Sequence, residues 1–146
     1  MIPLIKTLIP PKEILLPRLE EVIYSGYVAQ GKAVDDFENE FSKFIGNKFC
    51  LSVNSGSSAL HIALILAGVK PGDEVISTPI TAEPTNTVIK QTGAKIVWAD
   101  IDTDTGNICP DNVEKKITNK TKAIMVVDYA GTPVNIKRFQ EIEIKY

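Results

Sequence analysis

The chain has 146 residues, of which 44% are hydrophobic and 23% charged, so it is long enough to bury the core of one globular domain and is not a disordered chain. Its 16 basic and 18 acidic residues leave a net charge of -2 without a long run of either sign, which argues against a nucleic-acid partner. The longest apolar stretch, Ala59 to Val69, is too short to span a bilayer, so no membrane partner is expected.

The N-terminal part of the chain predicts two helices. The first is expected to begin only near Pro17, because a proline deep inside a helix removes a hydrogen bond and clashes with the preceding turn. In the second, Asp35, Asp36 and Glu38 place negative charge at the positive end of the helix. Its apolar residues fall on one helical face, which we expect to pack on the core: Val34, Phe37, Phe41, Phe44 and Ile45.

Farther along, short runs rich in β-branched residues alternate with helical patterns. The predicted strands are Lys48 to Val53, Glu74 to Thr78, Lys95 to Ala99 and Ala123 to Asp128. The predicted helices are Ala59 to Ala67, roughly Thr85 to Gln91, and Asp111 to Ile117. Because parallel neighbours need crossover connections, this alternation predicts an α/β fold with a mostly parallel sheet covered by helices.

A small polar hinge joins the first predicted strand to the helix that follows it. Gly56 permits a tight turn, and Ser57 and Ser58 stand where the helix begins, with free backbone N–H groups at its N-terminus. Such an end carries about half a positive charge and could hold a phosphate monoester without a lysine. A plain serine N-cap on a core helix explains the same residues equally well.

Cysteine, histidine and tryptophan indicate no metal or redox site. Cys50 and Cys109 are isolated thiols without C-x-x-C spacing, and the N-terminus lacks a long apolar signal segment, which fits a reducing cytoplasm. His61 lies in an apolar helix and is expected to be a satisfied core histidine. Trp98, on a strand rich in Val and Ile, is expected to lie in the core or at an interface.

Five blocks, in this order, resemble the N-terminal part of the DegT/StrS-type sugar aminotransferases: SGYVAQGKAVDDFENEFSKFIGNK, NSGSSALHIAL, GDEVISTPITAEPTN, GAKIVWADIDTDTGNI and ITNKTKAIMVVDYAGTPVNI. These enzymes use pyridoxal phosphate and have the aspartate aminotransferase fold. The resemblance implies a partial three-layer α/β/α sandwich, the N-terminal part of the large domain of a fold type I enzyme. It implies a single incomplete domain over residues 1–146, with an N-terminal segment, 1–33, and the first part of the cofactor-binding domain, 34–146.

The resemblance also implies cofactor contacts. In the family the segment matching Gly56, Ser57 and Ser58 contacts the phosphate of pyridoxal phosphate. Ala82 stands where Phe or Trp commonly lies against the pyridine face, so a stacking contribution of about 1 kcal/mol is missing. Asp128 ends a predicted strand where many relatives carry His, at the edge where open α/β sheets place ligands. A carboxylate that caps the following loop is an equally good explanation for Asp128.

The loop of residues 26–32 resembles the family's N-terminal substrate segment, which lies near the active site at a subunit boundary. By this resemblance Tyr27 could stack on a sugar nucleotide and Lys32 could meet its diphosphate, although an exposed lysine is usually a solvated charge. The same resemblance implies a homodimer, or a site completed by another chain.

Transamination needs residues that no position of this chain matches. The family uses a lysine that forms a Schiff base with the cofactor and a carboxylate against the pyridine nitrogen, both downstream of the block GTPVNIKRFQEIEIKY. No catalytic residue is therefore assigned, and the chain alone is expected to be inactive. The expected enzyme moves an amino group from an amino acid such as glutamate to a nucleotide-linked keto-sugar. The alternatives are a piece of a pyridoxal-phosphate sugar dehydratase, or a non-catalytic fragment that binds a phosphorylated ligand or a partner chain.

The implied topology leaves the strand Lys48 to Val53 without a ladder partner, because later strands of the family's sheet separate it from the others. Buried unpaired N–H and C=O groups cost about 1 to 3 kcal/mol each. Total stability is only about 5 to 15 kcal/mol. We therefore expect the chain to rearrange its strand pairing, to be completed by another polypeptide, or to be an incomplete piece.

Overall fold

The structure is a computed structural model that describes residues 7–146. These residues form two compact units, one ending at Ser52 and the other running from Val53 to Tyr146. The boundary expected between residues 33 and 34 falls inside a helix, and the assignment of domains stays a prediction. Within the described range no helix has the length and apolar character needed to cross a membrane.

The first unit contains two helices, α1 (Lys12–Ser25) and α2 (Lys32–Ile45). Each ends at a glycine in the left-handed region, Gly26 with φ 79° and Gly46 with φ 69°, a conformation that a residue without Cβ adopts readily. Phe37 and Phe41, on the predicted apolar face of α2, stack with ring centroids 5.7 Å apart. No residue of either helix is buried.

Helix α1 begins earlier than the sequence predicts. A start near Pro17 was expected, but Pro17 lies inside the helix. The first turn is anchored by the amides of Ile14 and Leu15, which both donate to the Pro11 carbonyl at 3.0 Å. Pro17 therefore lacks only the amide that would reach the Glu13 carbonyl, and the helix continues past this single missing bond.

A parallel sheet forms the centre of the second unit. Its strands are β1 (Glu74–Ser77), β2 (Lys95–Trp98) and β3 (Thr121–Ile124), in the order β2-β1-β3. Ile76 of β1 pairs with Val97 on one side and with Ile124 on the other, and both ladders are parallel. The prediction of an α/β fold with a parallel sheet is confirmed.

Helices cover both faces of this sheet: α3 (Gly56–Leu66), α4 (Glu83–Gln91), α5 (Pro110–Lys116) and α6 (Ile136–Lys145). Successive side chains of a strand point to opposite faces, so β1 contributes to two cores. Val75 packs with residues of α3 and α4, and Ile76 with residues of α5 and α6. The second unit is therefore a three-layer α/β/α arrangement.

The predicted strand at residues 48–53 does not form, and β3 is displaced. Residues 48–53 pair with no strand among the described residues, because no ladder partner is present for them. The predicted strand at residues 123–128 instead begins at Thr121 and ends at Ile124, since its neighbour β1 ends at Ser77. Beyond Ile124 only the Met125 amide still reaches β1, donating to the Ile76 carbonyl at 2.8 Å.

His61 and Trp98 lie outside the core, so the expectation of a satisfied core histidine is wrong. α3 buries only Leu64, which leaves His61 half-buried, with no hydrogen bond from its ring to the described part of the chain. Trp98 is the last residue of the edge strand β2 and is 47% exposed, so it is not a core residue.

Candidate functional site

The N-terminus of α3 is shaped by three short side chains. Ser55 is the N-cap, and its Oγ accepts a hydrogen bond from the Ser58 amide at 3.1 Å. The Ser58 hydroxyl donates to Oδ1 of Asn54 at 2.7 Å and lies 3.0 Å from the Ser55 hydroxyl. The capping residue is thus Ser55, one position before the hinge residues, and the Ser58 amide is already used.

Two amides remain available at this helix end. Gly56 and Ser57 occupy the first two helical positions, whose N–H groups have no partner within a helix, and neither donates to an acceptor within residues 7–146. A Cβ placed on Gly56 would meet no atom within 4 Å, so the space beside this residue is open. The first turn carries no acidic residue that would repel an anion. These features fit the phosphate group of a cofactor.

Ala82 lies in the loop that follows β1. It is exposed and occupies the N-cap position of α4, where its methyl group makes no capping hydrogen bond. The loop is held by Asn86, whose Nδ2 donates to the Thr78 carbonyl at 3.0 Å and whose Oδ1 accepts from the buried Ser77 hydroxyl at 2.7 Å. Sequence reasoning missed Asn86 and Ser77 as residues that shape this loop. The available signal is an amide side chain one turn inside a helix that follows a strand.

Asp128 lies in the loop that follows β3 and is exposed. Its Oδ1 accepts a hydrogen bond from the Val134 amide at 2.8 Å, so the carboxylate caps its own loop, one of the two explanations left open by the sequence. Oδ2 accepts no hydrogen bond from the described residues and can face a ligand. A ligand could therefore bind Oδ2 of Asp128 without breaking the hydrogen bond that Oδ1 makes to the loop.

The predicted cofactor residues all belong to the second unit. Ala82 and Asp128 follow β1 and β3, which are parallel neighbours, so both lie at the carboxyl edge of the sheet, where α/β proteins place ligands. Gly56, Ser57 and Ser58 open α3, which packs against α4. No cluster of three metal-ligating side chains occurs in the part of the chain that the structure describes.

Tyr27 and Lys32, the predicted substrate residues, belong to the first unit. Tyr27 is 73% exposed, and a Cβ on Gly31 would lie 2.9 Å from the Tyr27 Cβ, so this glycine lets the tyrosine approach the backbone. Lys32 Nζ lies 2.5 Å from Oδ2 of Asp36, one helical turn on, and this hydrogen bond raises the pKa of Lys32. The Lys32 ammonium is exposed but already paired.

The chain is similar to known proteins over most of its length. A model of the DegT/DnrJ/EryC1/StrS aminotransferase family matches residues 12–146. The spore coat polysaccharide biosynthesis protein SpsC of Bacillus subtilis (strain 168) is 42% identical over 116 residues, which are 80% of this chain and 30% of SpsC. AtS13 from Actinomadura melliaura is 41% identical, with a TM-score of 0.92, over 99% of this chain and 39% of AtS13. The sugar aminotransferase CalS13 from Micromonospora echinospora is 39% identical, with a TM-score of 0.89, over 97% of this chain and 38% of CalS13.

Two further solved structures bear on the cofactor. Spr1654 from Streptococcus pneumoniae, solved in PLP and PMP forms, is 31% identical, with a TM-score of 0.86, over 91% of this chain and 34% of Spr1654. The E coli GDP-4-keto-6-deoxy-D-mannose-3-dehydratase, solved with bound hydrated PLP, is 27% identical, with a TM-score of 0.84, over 93% of this chain and 36% of its own. The chain spans roughly a third of the length of all these proteins.

Proposed function

The chain belongs to the DegT/DnrJ/EryC1/StrS aminotransferase family, and from this premise we propose that it is the N-terminal part of a pyridoxal-phosphate-dependent sugar aminotransferase. The proposed reaction moves an amino group from an amino acid, such as glutamate, to a nucleotide-linked keto-sugar. The observation that carries the proposal is the start of α3, where the amides of Gly56 and Ser57 have no acceptor among the described residues and the space beside Gly56 is open.

In the proposed site the amides of Gly56 and Ser57 donate to the cofactor phosphate, and the Ser57 hydroxyl adds a third donor. The positive end of the helix dipole favours the same dianion. Asn54, Ser55 and Ser58 hold the turn in shape through their mutual hydrogen bonds. When bound, pyridoxal phosphate supplies the electron sink that amino transfer requires.

The other predicted residues take supporting roles in this proposal. Asp128 contacts the cofactor with its second carboxylate oxygen from the carboxyl edge of the sheet. Ala82 leaves one face of the pyridine ring without an aromatic partner. Tyr27 stacks on the sugar nucleotide, and Lys32 meets its diphosphate after exchanging Asp36 for the substrate.

The reaction is proposed for an assembly rather than for these 146 residues alone. No residue of the chain matches the family's cofactor-anchoring lysine, so we propose that the chain binds the cofactor without catalysing amino transfer. A homodimer, or another chain, completes the site, and the protein works in the cytoplasm. The amino-acid and nucleotide-sugar substrates belong to the complete enzyme.

A sugar dehydratase is the second candidate. The similarity to the E coli dehydratase, with a TM-score of 0.84, supports it, although the similarity to the sugar aminotransferase CalS13, with a TM-score of 0.89, is greater. The two reactions differ in the family by a lysine or a histidine that no residue of this chain matches. Cofactor binding by α3 is expected for both enzymes, whereas a module that binds a partner chain requires no cofactor.

Titration of the 146-residue chain with pyridoxal phosphate, followed by calorimetry, tests the proposal. Hydrogen bonds to a charged group contribute about 1.5 to 3 kcal/mol each. Pyridoxal, which lacks the phosphate, should therefore bind at least roughly tenfold more weakly, and inorganic phosphate should compete. Ser57→Ala should weaken binding by at least roughly tenfold through one lost hydrogen bond of this kind.

The matched control is Ser42→Ala, which removes a serine hydroxyl from α2 in the first unit and should leave the affinity unchanged. Equal affinities for pyridoxal and pyridoxal phosphate, or no binding of either, would contradict a phosphate site at α3.

A further inference from the structure

A hairpin between β2 and α5 reaches the loop that follows β3. The hairpin is closed by an antiparallel bridge between Ile101 and Ile108. Asn107, next to this bridge, is only 5% exposed. Its Oδ1 accepts a hydrogen bond from the Tyr129 amide at 2.8 Å, and its Nδ2 donates to the Thr132 carbonyl at 2.9 Å. The buried Asn107 side chain thus bonds this loop with both its oxygen and its nitrogen.

A second contact joins the same two segments. A Cβ placed on Gly106 would lie 2.8 Å from Cδ1 of Tyr129, so the tyrosine ring lies directly against the glycine backbone. Gly106 also has a φ of 74°, which disfavours any side chain there. The hairpin therefore contacts the turn through a ring and through two hydrogen bonds.

The turn held by Asn107 has an unfavourable backbone. Within the 3-10 turn Tyr129–Gly131, Ala130 has a φ of 51°, and Gly131 has a φ of 82°. A residue with a side chain rarely adopts this left-handed region, and such residues persist where their surroundings hold them. Asn107 bonds the residue before Ala130 and the residue after Gly131, so its two hydrogen bonds lie on either side of the strained Ala130.

Asp128 immediately precedes this turn, and its position depends on it. The Asp128 carbonyl accepts from the Gly131 amide at 3.1 Å, and its Oδ1 accepts from the Val134 amide at 2.8 Å. The Gly131 amide lies between Tyr129 and Thr132, the two residues that Asn107 bonds, and the Val134 amide lies two residues beyond Thr132. If the turn opens, these donors move and the carboxylate loses its fixed direction.

We propose that Asn107 is a positioning residue, which holds the turn Tyr129–Gly131 and thereby fixes the Asp128 carboxylate at the carboxyl edge of the sheet. The fixed turn is a property of the fold. Its effect on cofactor binding rests on the proposed function, because it requires that Asp128 contacts the cofactor.

Amide hydrogen exchange, followed by NMR on the 146-residue chain, tests the first half. Asn107→Ala should make the Tyr129 and Val134 amides exchange at least about tenfold faster, because local opening exposes them. Asn107→Asp keeps the acceptor for Tyr129 but loses the donor to Thr132, so Tyr129 should stay protected while Val134 exchanges faster. Asn107→Asp, which keeps one of the two hydrogen bonds, carries the test if Asn107→Ala does not fold.

Asn112→Ala is the matched control for exchange. Asn112 also uses both ends of its amide, accepting from the Asp100 amide at 3.0 Å and donating to Oδ2 of Asp100 at 2.9 Å, but it does not bond the turn. It should leave the Tyr129 and Val134 amides unchanged. Unchanged exchange at Val134 in both Asn107 variants, or equal acceleration by Asn112→Ala, would overturn the proposal.

A double-mutant cycle with pyridoxal phosphate tests the second half. Asn107→Ala should weaken binding about fivefold in the parent chain and less than about twofold in the Asp128→Asn background, which keeps the loop-capping oxygen but loses the charge. Equal losses in both backgrounds would mean that Asn107 acts on general structure, and would overturn its action through Asp128. If the parent chain does not bind pyridoxal phosphate, the proposed function fails, while the exchange experiment still decides whether Asn107 holds the turn.

Discussion

One carboxylate oxygen of Glu38 accepts hydrogen bonds from both the amide and the hydroxyl of Ser52, at 2.6 and 2.8 Å. The pair ties the segment before Val53 to α2 by a side chain, where the sequence predicts a β-strand. An unpaired segment of this kind satisfies its polar groups locally, because no neighbouring strand offers them a ladder. Protonation of the Glu38 carboxylate should therefore loosen this segment.

The two hydrogen bonds from Ser52 to the Glu38 carboxylate should be lost in acid. The Ser52 amide, and then the Ser52 hydroxyl, lower the pKa of Glu38 from its ordinary value of 4.5. Because the folded-state pKa is the lower one, the stabilisation is complete above about pH 4.5 and disappears as the pH falls through the folded-state value. The protection of the Ser52 amide, taken from its exchange rate relative to that of an unstructured peptide at the same pH, should fall over this interval in the parent chain. Glu38→Gln should remove this pH response, and Glu40→Gln, on the same helix, should retain it.

Removal of the α3 cap should destabilise the chain measurably. Ser55→Ala deletes the oxygen that accepts from the Ser58 amide, and such caps contribute about 1 kcal/mol. Urea unfolding should show this loss. Ser57→Ala, two residues away, removes a hydroxyl with no hydrogen bond inside the described residues and should change stability by less than about 0.5 kcal/mol. The reverse ranking would show that Ser55 is not the cap.

Ile76 should contribute far more to stability than an isoleucine on the exposed side of α3. Ile76 is fully buried in the sheet, and Ile76→Ala should cost about 2 to 5 kcal/mol. Ile65 is 55% exposed, and Ile65→Ala should change stability by no more than about 0.5 kcal/mol. Denaturant unfolding of both variants measures the difference, and similar losses would contradict the core described for the second unit.

The contact between α5 and α6 should weaken below about pH 4.5. Glu114 accepts from Lys145 at 2.7 Å and also pairs with Arg138, and these two partners lower the pKa of Glu114 from 4.5. The stabilisation is therefore complete above that value and is lost as the pH falls through the lowered one. Glu114→Gln should lower the melting temperature at pH 7 and flatten its fall in acid. Glu143→Gln, which leaves these ion pairs intact, should preserve the acid response of the parent chain.

The repeating pattern of apolar residues predicts most of the second unit correctly. The strand expected at residues 74–78 forms as Glu74–Ser77, and the helix expected at 85–91 forms as Glu83–Gln91. These elements follow from periodicity that lies within each segment. Residues 48–53 have a suitable composition for a strand, but a strand also needs a neighbour, and no local pattern reveals whether one is present. Helix α6 was missed, although Asn135 caps it by accepting from the Arg138 amide.

The sequence predicts where the candidate site lies, but not which hydrogen bonds shape it. The predicted strand, Gly56 and the two serines after it located the start of α3 correctly, but the N-cap is Ser55. Asn86 and Asn107 reach backbone groups 8 and 22 residues away, so their roles depend on packing that only the folded chain shows. For Asp128 the predicted loop cap is observed through Oδ1, whereas the ligand contact through Oδ2 stays a prediction.

Trp98 provides a fluorescence signal at the outer edge of β2. It is the single tryptophan of the chain and stands half-exposed at the end of that strand. A polypeptide that binds along this edge and covers the indole moves it from water into protein, which shifts its fluorescence emission to shorter wavelength. The molecule thus carries an intrinsic optical reporter for whatever binds along one side of its sheet.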